Sequence, residues 1–144
     1  MSSVSVRPAE MQDAAVIATL MTQLGYPSDA VRVSAPIERV KDDQGIQALV
    51  AEREGRVIGM ISLMVFPAFH RDGLHSYITA LVVDETLRGS GVGVGLLAAA
   101  EVWFAERGVS KVSLTTVLHR EAAHRFYEHL GYGFDGRRYV KALS

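Results

Sequence analysis

The chain has 144 residues, 49% of them hydrophobic and 22% charged, the profile of a globular domain large enough to bury a core. With 15 basic against 16 acidic side chains and a formal net charge of -1, it has no global field for nucleic acid or an anionic membrane, so any polyanion site has to be local. The lack of cysteine excludes a disulfide framework, a thiolate metal site and a cysteine nucleophile, and it fits a reducing compartment.

The amino terminus, MSSVSVRPAE, lacks the basic and apolar regions of a secretory signal, and no apolar run approaches the ~20 residues of a membrane span. A cytoplasmic protein without membrane contact is expected, as a single domain over residues 1–144, since no repeat or linker divides it. Residues 4–7 alternate as a short strand. Ala14, Ile17, Leu20, Met21 and Leu24 then recur at helical spacing, and Gly25-Tyr26-Pro27 stops that helix. Residues 28–45 are polar, with a short second helix expected over residues 36–41.

From Gln47 the period changes. ALVAE and VIGMISLMVF flank the turn Arg53-Glu54-Gly55-Arg56, the pattern of an antiparallel hairpin, and LHSYITALVV, residues 74–83, reads as another strand. A helix opens in the glycine stretch and runs to about Arg107, with Leu97, Ala100, Trp103 and Phe104 on one face and Gly108 as its stop. KVSLTT, residues 111–116, reads as a strand. Residues 120–130 form a helix ended by Gly131, and YVKAL is expected to close the chain as a strand. This order predicts an α/β (α+β) fold, with a mixed, mostly antiparallel sheet and helices on both faces.

The stretch RGSGVGVGLL, residues 88–97, puts Gly89, Gly91, Gly93 and Gly95 at every second position in the mouth of a helix. Unpaired N–H groups at a helix start, with no Cβ to hold a ligand away and Arg88 beside them, suit a pyrophosphate. The plainer alternative is that these glycines let the helix pack close to the sheet. A P-loop is excluded because there is no Gly-Lys pair, and the spacing of a dinucleotide-binding Gly-x-Gly-x-x-Gly fails at Val94 and Leu96.

Arg88-x-x-Gly91-x-Gly93 after the strand TALVVDETL resembles the first signature of the GNAT acyltransferase superfamily, and AAHRFYEHLGY, residues 122–132, resembles its second. The resemblance covers most of the chain. It implies a central sheet with a splayed strand pair and a bulge in the strand ITALVV. It also implies acetyl-CoA as co-substrate, and no metal is expected, because no His/Asp/Glu set in the sequence has metal-ligand spacing. Its pyrophosphate would lie on the amides of Arg88, Gly89, Ser90, Gly91, Val92 and Gly93, and its pantetheine arm along Leu81, Val82 and Val83. His119 and Phe126 are implied cofactor neighbours, and Tyr127 the proton donor to the departing thiolate. A backbone N–H of Val82 or Val83 would polarise the thioester carbonyl.

Many relatives carry a glutamate on the central strand, whereas Tyr77-Ile78-Thr79-Ala80-Leu81 has no carboxylate. His70, Asp72, His75 and His119 stand as alternatives for the general base, beside a water chain to bulk solvent. His124 and His129 are read as solvent-exposed helix residues. The acceptor is an amine, on a small molecule or a peptide, and a homodimer is implied by analogy alone. Two other classes stay open: a catalytically silent acyl-CoA-binding sensor or interaction module, and a nucleotide-binding α/β domain.

Overall fold

The computed structural model describes residues 3–70, 72–115 and 121–143. The chain divides into two compact units, Met1–Ser113 and Leu114–Ser144. The first is built on a four-stranded antiparallel sheet in the order β1-β2-β3-β4, comprising β1 (Ser5–Pro8), β2 (Ile46–Arg53), β3 (Arg56–Pro67) and β4 (Leu74–Val83). The expected hairpin is β2–β3. Its two-residue turn has Glu54 at φ 53 and Gly55 at φ 75, the paired left-handed conformation whose twist matches the flanking strands.

Strand alternation sorts the core onto two faces. Ala48, Val50, Met60 and Val82 share one face with Ile17 and Leu20 of helix α1 (Ala14–Leu24) and with Val33 and Ile37 of α2 (Ala30–Asp42). On the other face lies α3 (Val92–Glu106), burying Leu96, Leu97, Ala100 and Phe104. Each buried Val, Leu, Ile, Met or Phe among them stabilises the fold by roughly 2 kcal/mol, and each alanine by less. Helices thus cover both faces, as expected from the element order. Every ladder among the described residues is antiparallel, so no mixed pairing is seen there.

Helix α2 is twice as long as the stretch expected for it. Pro36 lies inside it, a residue that removes one backbone donor. The helix continues because Val33 and Ile37, one turn apart, are both buried against the core, and because the Asp29 carboxylate caps its start by accepting the Arg32 N–H at 2.9 Å.

KVSLTT does not form a regular strand over its described residues. Residues 111–113 instead lie beside β4. The Ile78 N–H donates to the Ser113 carbonyl at 2.8 Å, and the Ser76 hydroxyl donates to the Lys111 carbonyl. A side chain thereby substitutes for a ladder bond.

The second unit contains α4 (Glu121–His129), ended by Gly131 in the left-handed region at φ 94. Phe126 and Tyr127 meet edge to face at 5.3 Å, and Tyr127 and Tyr132 at 5.9 Å. Residues 133–143 have no regular secondary structure, in contrast to the strand expected at YVKAL. A strand forms only against a partner strand, and this unit offers none among its described residues.

Candidate functional site

The site begins at the free edge of β4. The pairings Gly59↔Val83, Met60↔Val82, Ile61↔Leu81 and Ser62↔Ala80 continue to Ile58 opposite Asp84, where the Asp84 N–H donates to the Ile58 carbonyl at 2.8 Å. Hydrogen-bonded and non-bonded pairs alternate in an antiparallel ladder. Val82 and Ala80 therefore turn their backbone groups toward β3, and Leu81 and Val83 turn theirs outward. Nearer the start of the strand, the Ile78 N–H also faces outward.

An outward phase that is even at Ser76 and Ile78 and odd at Leu81 and Val83 needs one extra residue. That residue is Thr79, where the register shifts because Ile78 pairs Leu63 and Ala80 pairs Ser62. This is the bulge implied in ITALVV. The Thr79 and Ser62 hydroxyls are hydrogen-bonded to each other there. Before the bulge the edge is occupied by residues 111–113. Beyond it, the only partner seen for the outward groups among the described residues is the Arg88 Nε–H, 3.4 Å from the Val83 carbonyl.

From β4 the chain enters a short 3-10 turn, Glu85–Leu87, capped by Asp84, whose carboxylate accepts the Thr86 N–H at 2.9 Å and the Thr86 hydroxyl at 2.7 Å. These bonds to Thr86 hold the Asp84 carboxyl below its ordinary range. The glycine loop follows, with Gly89 at φ 84 and Gly91 at φ 88. A Cβ on either would meet nothing within 4 Å, so these glycines serve backbone conformation and an open approach.

Close packing of helix on sheet is the task of Gly59 on β3. A Cβ there would stand 3.1 Å from Leu96 Cδ1, 3.1 Å from the Val82 carbonyl and 3.3 Å from Val92 Cγ1. The strand pattern VIGMIS already contained this signal as an isolated interior glycine.

Gly91 is the N-cap of α3 and supplies no side-chain cap, and the first bond of the helix runs from the Gly95 N–H to the Gly91 carbonyl at 3.1 Å. The N–H groups of Val92, Gly93 and Val94 thus have no intrahelical acceptor. Ser90 gives its hydroxyl to the Leu87 carbonyl, and Arg88 is exposed beside the loop. Leu81, Val83, residues 88–91 and Gly93, all exposed or half-buried, therefore present their donors toward the positive end of a 15-residue helix, whereas the Val92 side chain is buried beside Gly59. Val82 is instead buried toward α1, with its backbone groups committed to β3.

Phe126 and Tyr127 lie in α4 of the second unit, and His119 lies outside the described residues. Of the base candidates, His70 and Asp72 are exposed. His75 is half-buried, with its ring 5.0 Å from Phe66 and 6.1 Å from His70, and its buried Nδ1 has no hydrogen-bond partner among the described residues. Among the described residues no group of three His, Asp or Glu side chains is placed to hold a metal ion, and no helix is long and apolar enough to cross a membrane. A shallow groove lined by Ala18, Thr22, Gln23, Ser28, Ala30 and Glu85 runs between α1 and the start of α2.

The model of the Acetyltransferase (GNAT) family matches residues 14–132. The aminoalkylphosphonate N-acetyltransferase of Salmonella typhimurium is 38% identical over 101 residues, which are 70% of this chain and 66% of that protein. The glucosamine 6-phosphate N-acetyltransferase of Trypanosoma brucei brucei is 37% identical over 79 residues, 54% of this chain and 52% of that one. The matched stretch thus spans between about half and two thirds of these curated relatives. A solved acetyltransferase structure from Trypanosoma brucei superposes with a TM-score of 0.81 at 29% identity, covering 98% of this chain and 100% of that one.

Proposed function

The chain belongs to the GNAT acetyltransferase family, and from that premise we propose that it transfers the acetyl group of acetyl-CoA to a primary amine by direct attack in a ternary complex. The observation that carries this reading is the pair of left-handed glycines, Gly89 and Gly91, before an uncapped helix, at the end of a strand edge whose outward groups belong to Leu81 and Val83. The fit is to a diphosphate attached to an amide-rich arm. Donors of residues 88–93 hold the diphosphate, aided by the Arg88 charge, and the outward groups of Leu81 and Val83 pair with the arm as another strand would.

Acetyl-CoA supplies the thioester. The protein orients it and places an outward N–H of the β4 edge toward its carbonyl, a role that fits Leu81 or Val83 and leaves Val82 to structure. Tyr127 occupies the family's tyrosine position and is assigned the proton that the departing thiolate takes. With no carboxylate between Tyr77 and Leu81, the amine gives its proton to water. The names of the two curated relatives each describe a primary amine bearing a phosphorus oxyacid, which supports a small anionic amine as acceptor ahead of a peptide. A catalytically silent acyl-CoA-binding module is the second reading, favoured by that same missing carboxylate.

Calorimetric titration with acetyl-CoA, against NAD and ATP as controls, tests the assignment. Saturable binding by the parent and none by Gly91→Glu, which adds bulk and negative charge at the helix mouth, is the expected result; no binding by the parent overturns it. Because the chain has no cysteine, released coenzyme thiol is read without protein background. Tyr127→Phe should lower turnover by about 10²-fold with coenzyme affinity retained. Tight binding without thiol release across an amine panel would favour the silent module.

A further inference from the structure

The turn that joins the β4 edge to the glycine loop is held from outside by one side chain. Gln23 stands in the last turn of α1, and its Oε1 accepts the Glu85 N–H at 3.0 Å, a bond between residues 62 positions apart. The carboxamide also makes the smallest contribution to lowering the neighbouring Asp84 carboxyl, after Thr86 and Arg56. The base of this clamp is packed and hydrogen-bonded. Ile17 and Leu20 of α1 are buried, and beyond Gln23 the Tyr26 N–H donates to the Met21 carbonyl at 2.9 Å and the Ser28 N–H to the Thr22 hydroxyl at 3.2 Å. The turn itself, Glu85–Leu87, has no fully buried residue, with Glu85 and Thr86 exposed and Leu87 half-buried, so little apolar packing positions it and the bond to Gln23 carries weight.

We propose that Gln23 is a positioning residue: by fixing the 3-10 turn against α1 it aims the amides of residues 88–93 and thereby sets affinity for the co-substrate. The inference rests on the coenzyme reading above for its functional consequence, but not for its structural one. Glutamine suits the position because its oxygen receives an N–H while its amide faces a carboxylate. Methionine has the same length without either group, and glutamate keeps only the acceptor.

The test compares the parent with Gln23→Met and Gln23→Glu by hydrogen exchange without ligand, by melting temperature, and by acetyl-CoA titration. In Gln23→Met the amides of residues 84–93 should exchange faster while those of α1 and the sheet keep the parental rate and Tm is unchanged. Acetyl-CoA affinity should fall about 3- to 10-fold, with kcat at saturation retained. Gln23→Glu, which keeps the acceptor for the Glu85 N–H but turns a second carboxylate toward Asp84, should protect residues 84–93 more than Gln23→Met does and less than the parent, with the gain over Gln23→Met larger at high salt. Parental exchange over residues 84–93 in Gln23→Met overturns the proposal, as does faster exchange spread evenly over the first unit. If the parent binds no acetyl-CoA, the coenzyme reading fails by itself, and the exchange pattern still decides what Gln23 does.

Discussion

The two edges of the sheet use the same kinds of polar group to opposite ends. At β1 the Arg7 guanidinium is consumed internally, donating to both Asp13 oxygens at 2.8 and 3.0 Å, from Nε to Glu52 at 2.8 Å, and to the Pro8 carbonyl at 3.1 Å. Asp13, only 4% exposed, also accepts the Glu10 N–H at 2.8 Å. At β4 the outward groups of Leu81 and Val83 and the first N–H groups of α3 are left almost without partners among the described residues. The contrast teaches where to look: satisfied polar groups hold the fold, and aligned, accessible, unpaired ones define what it binds.

The sharpest way to break the comparison is at the β1 corner. Asp13→Asn leaves Arg7 facing a neutral amide and should cost about 3 kcal/mol, measured by denaturant unfolding, without altering the glycine loop. The Arg7 bonds, against the opposing cost of burial, hold the Asp13 carboxyl below its ordinary range and raise that of the guanidinium. A carboxyl depressed in the folded state stabilises above its unfolded pKa and loses that contribution as pH falls through the folded one. The parent's advantage over Asp13→Asn should therefore be full near neutral pH and shrink below about pH 4. A difference independent of pH would show that the carboxylate charge is irrelevant.

Gly59→Val comes next. It forces methyl groups against Leu96, Val92 and the Val82 carbonyl and should cost about 2 kcal/mol in unfolding while also weakening coenzyme binding, because Val92 opens α3. The smallest stability effect is expected at Gly89→Ala. Its Cβ meets open space, so only the left-handed conformation is penalised, by about 1 kcal/mol, but the loop relaxes away from that conformation and coenzyme affinity falls. Equal losses of stability in Gly59→Val and Gly89→Ala would erase the distinction between a packing glycine and a binding glycine.

Much of the site is legible in the amino-acid sequence. Strand β4 has the bounds read from the sequence, and the glycines stand at the mouth of a helix that starts at Val92. The two motifs identify the family because their chemistry depends on local backbone, where spacing and residue type are nearly sufficient. The full length of α2 is not legible, since Pro36 argues locally against a helix that the burial of Val33 and Ile37 then imposes. The clamp at Gln23 is equally hidden, because nothing in a helix end announces a partner 62 residues away.

By itself the sequence determined the hairpin turn, the glycine stops after α1, α3 and α4, and the glycine run, all features set by dihedral preference and short-range hydrogen bonding. Tertiary structure decided the rest. Which amides of β4 face outward depends on the register against β3 and on one bulged residue at Thr79. Which glycine is crowded depends on where α3 lies on the sheet. Whether a strand-like segment pairs depends on a neighbour being present. Residues 111–113 found a partner in Ser76 and Ile78, while residues 139–143, also read as a strand, have no strand to join within their own unit among the described residues.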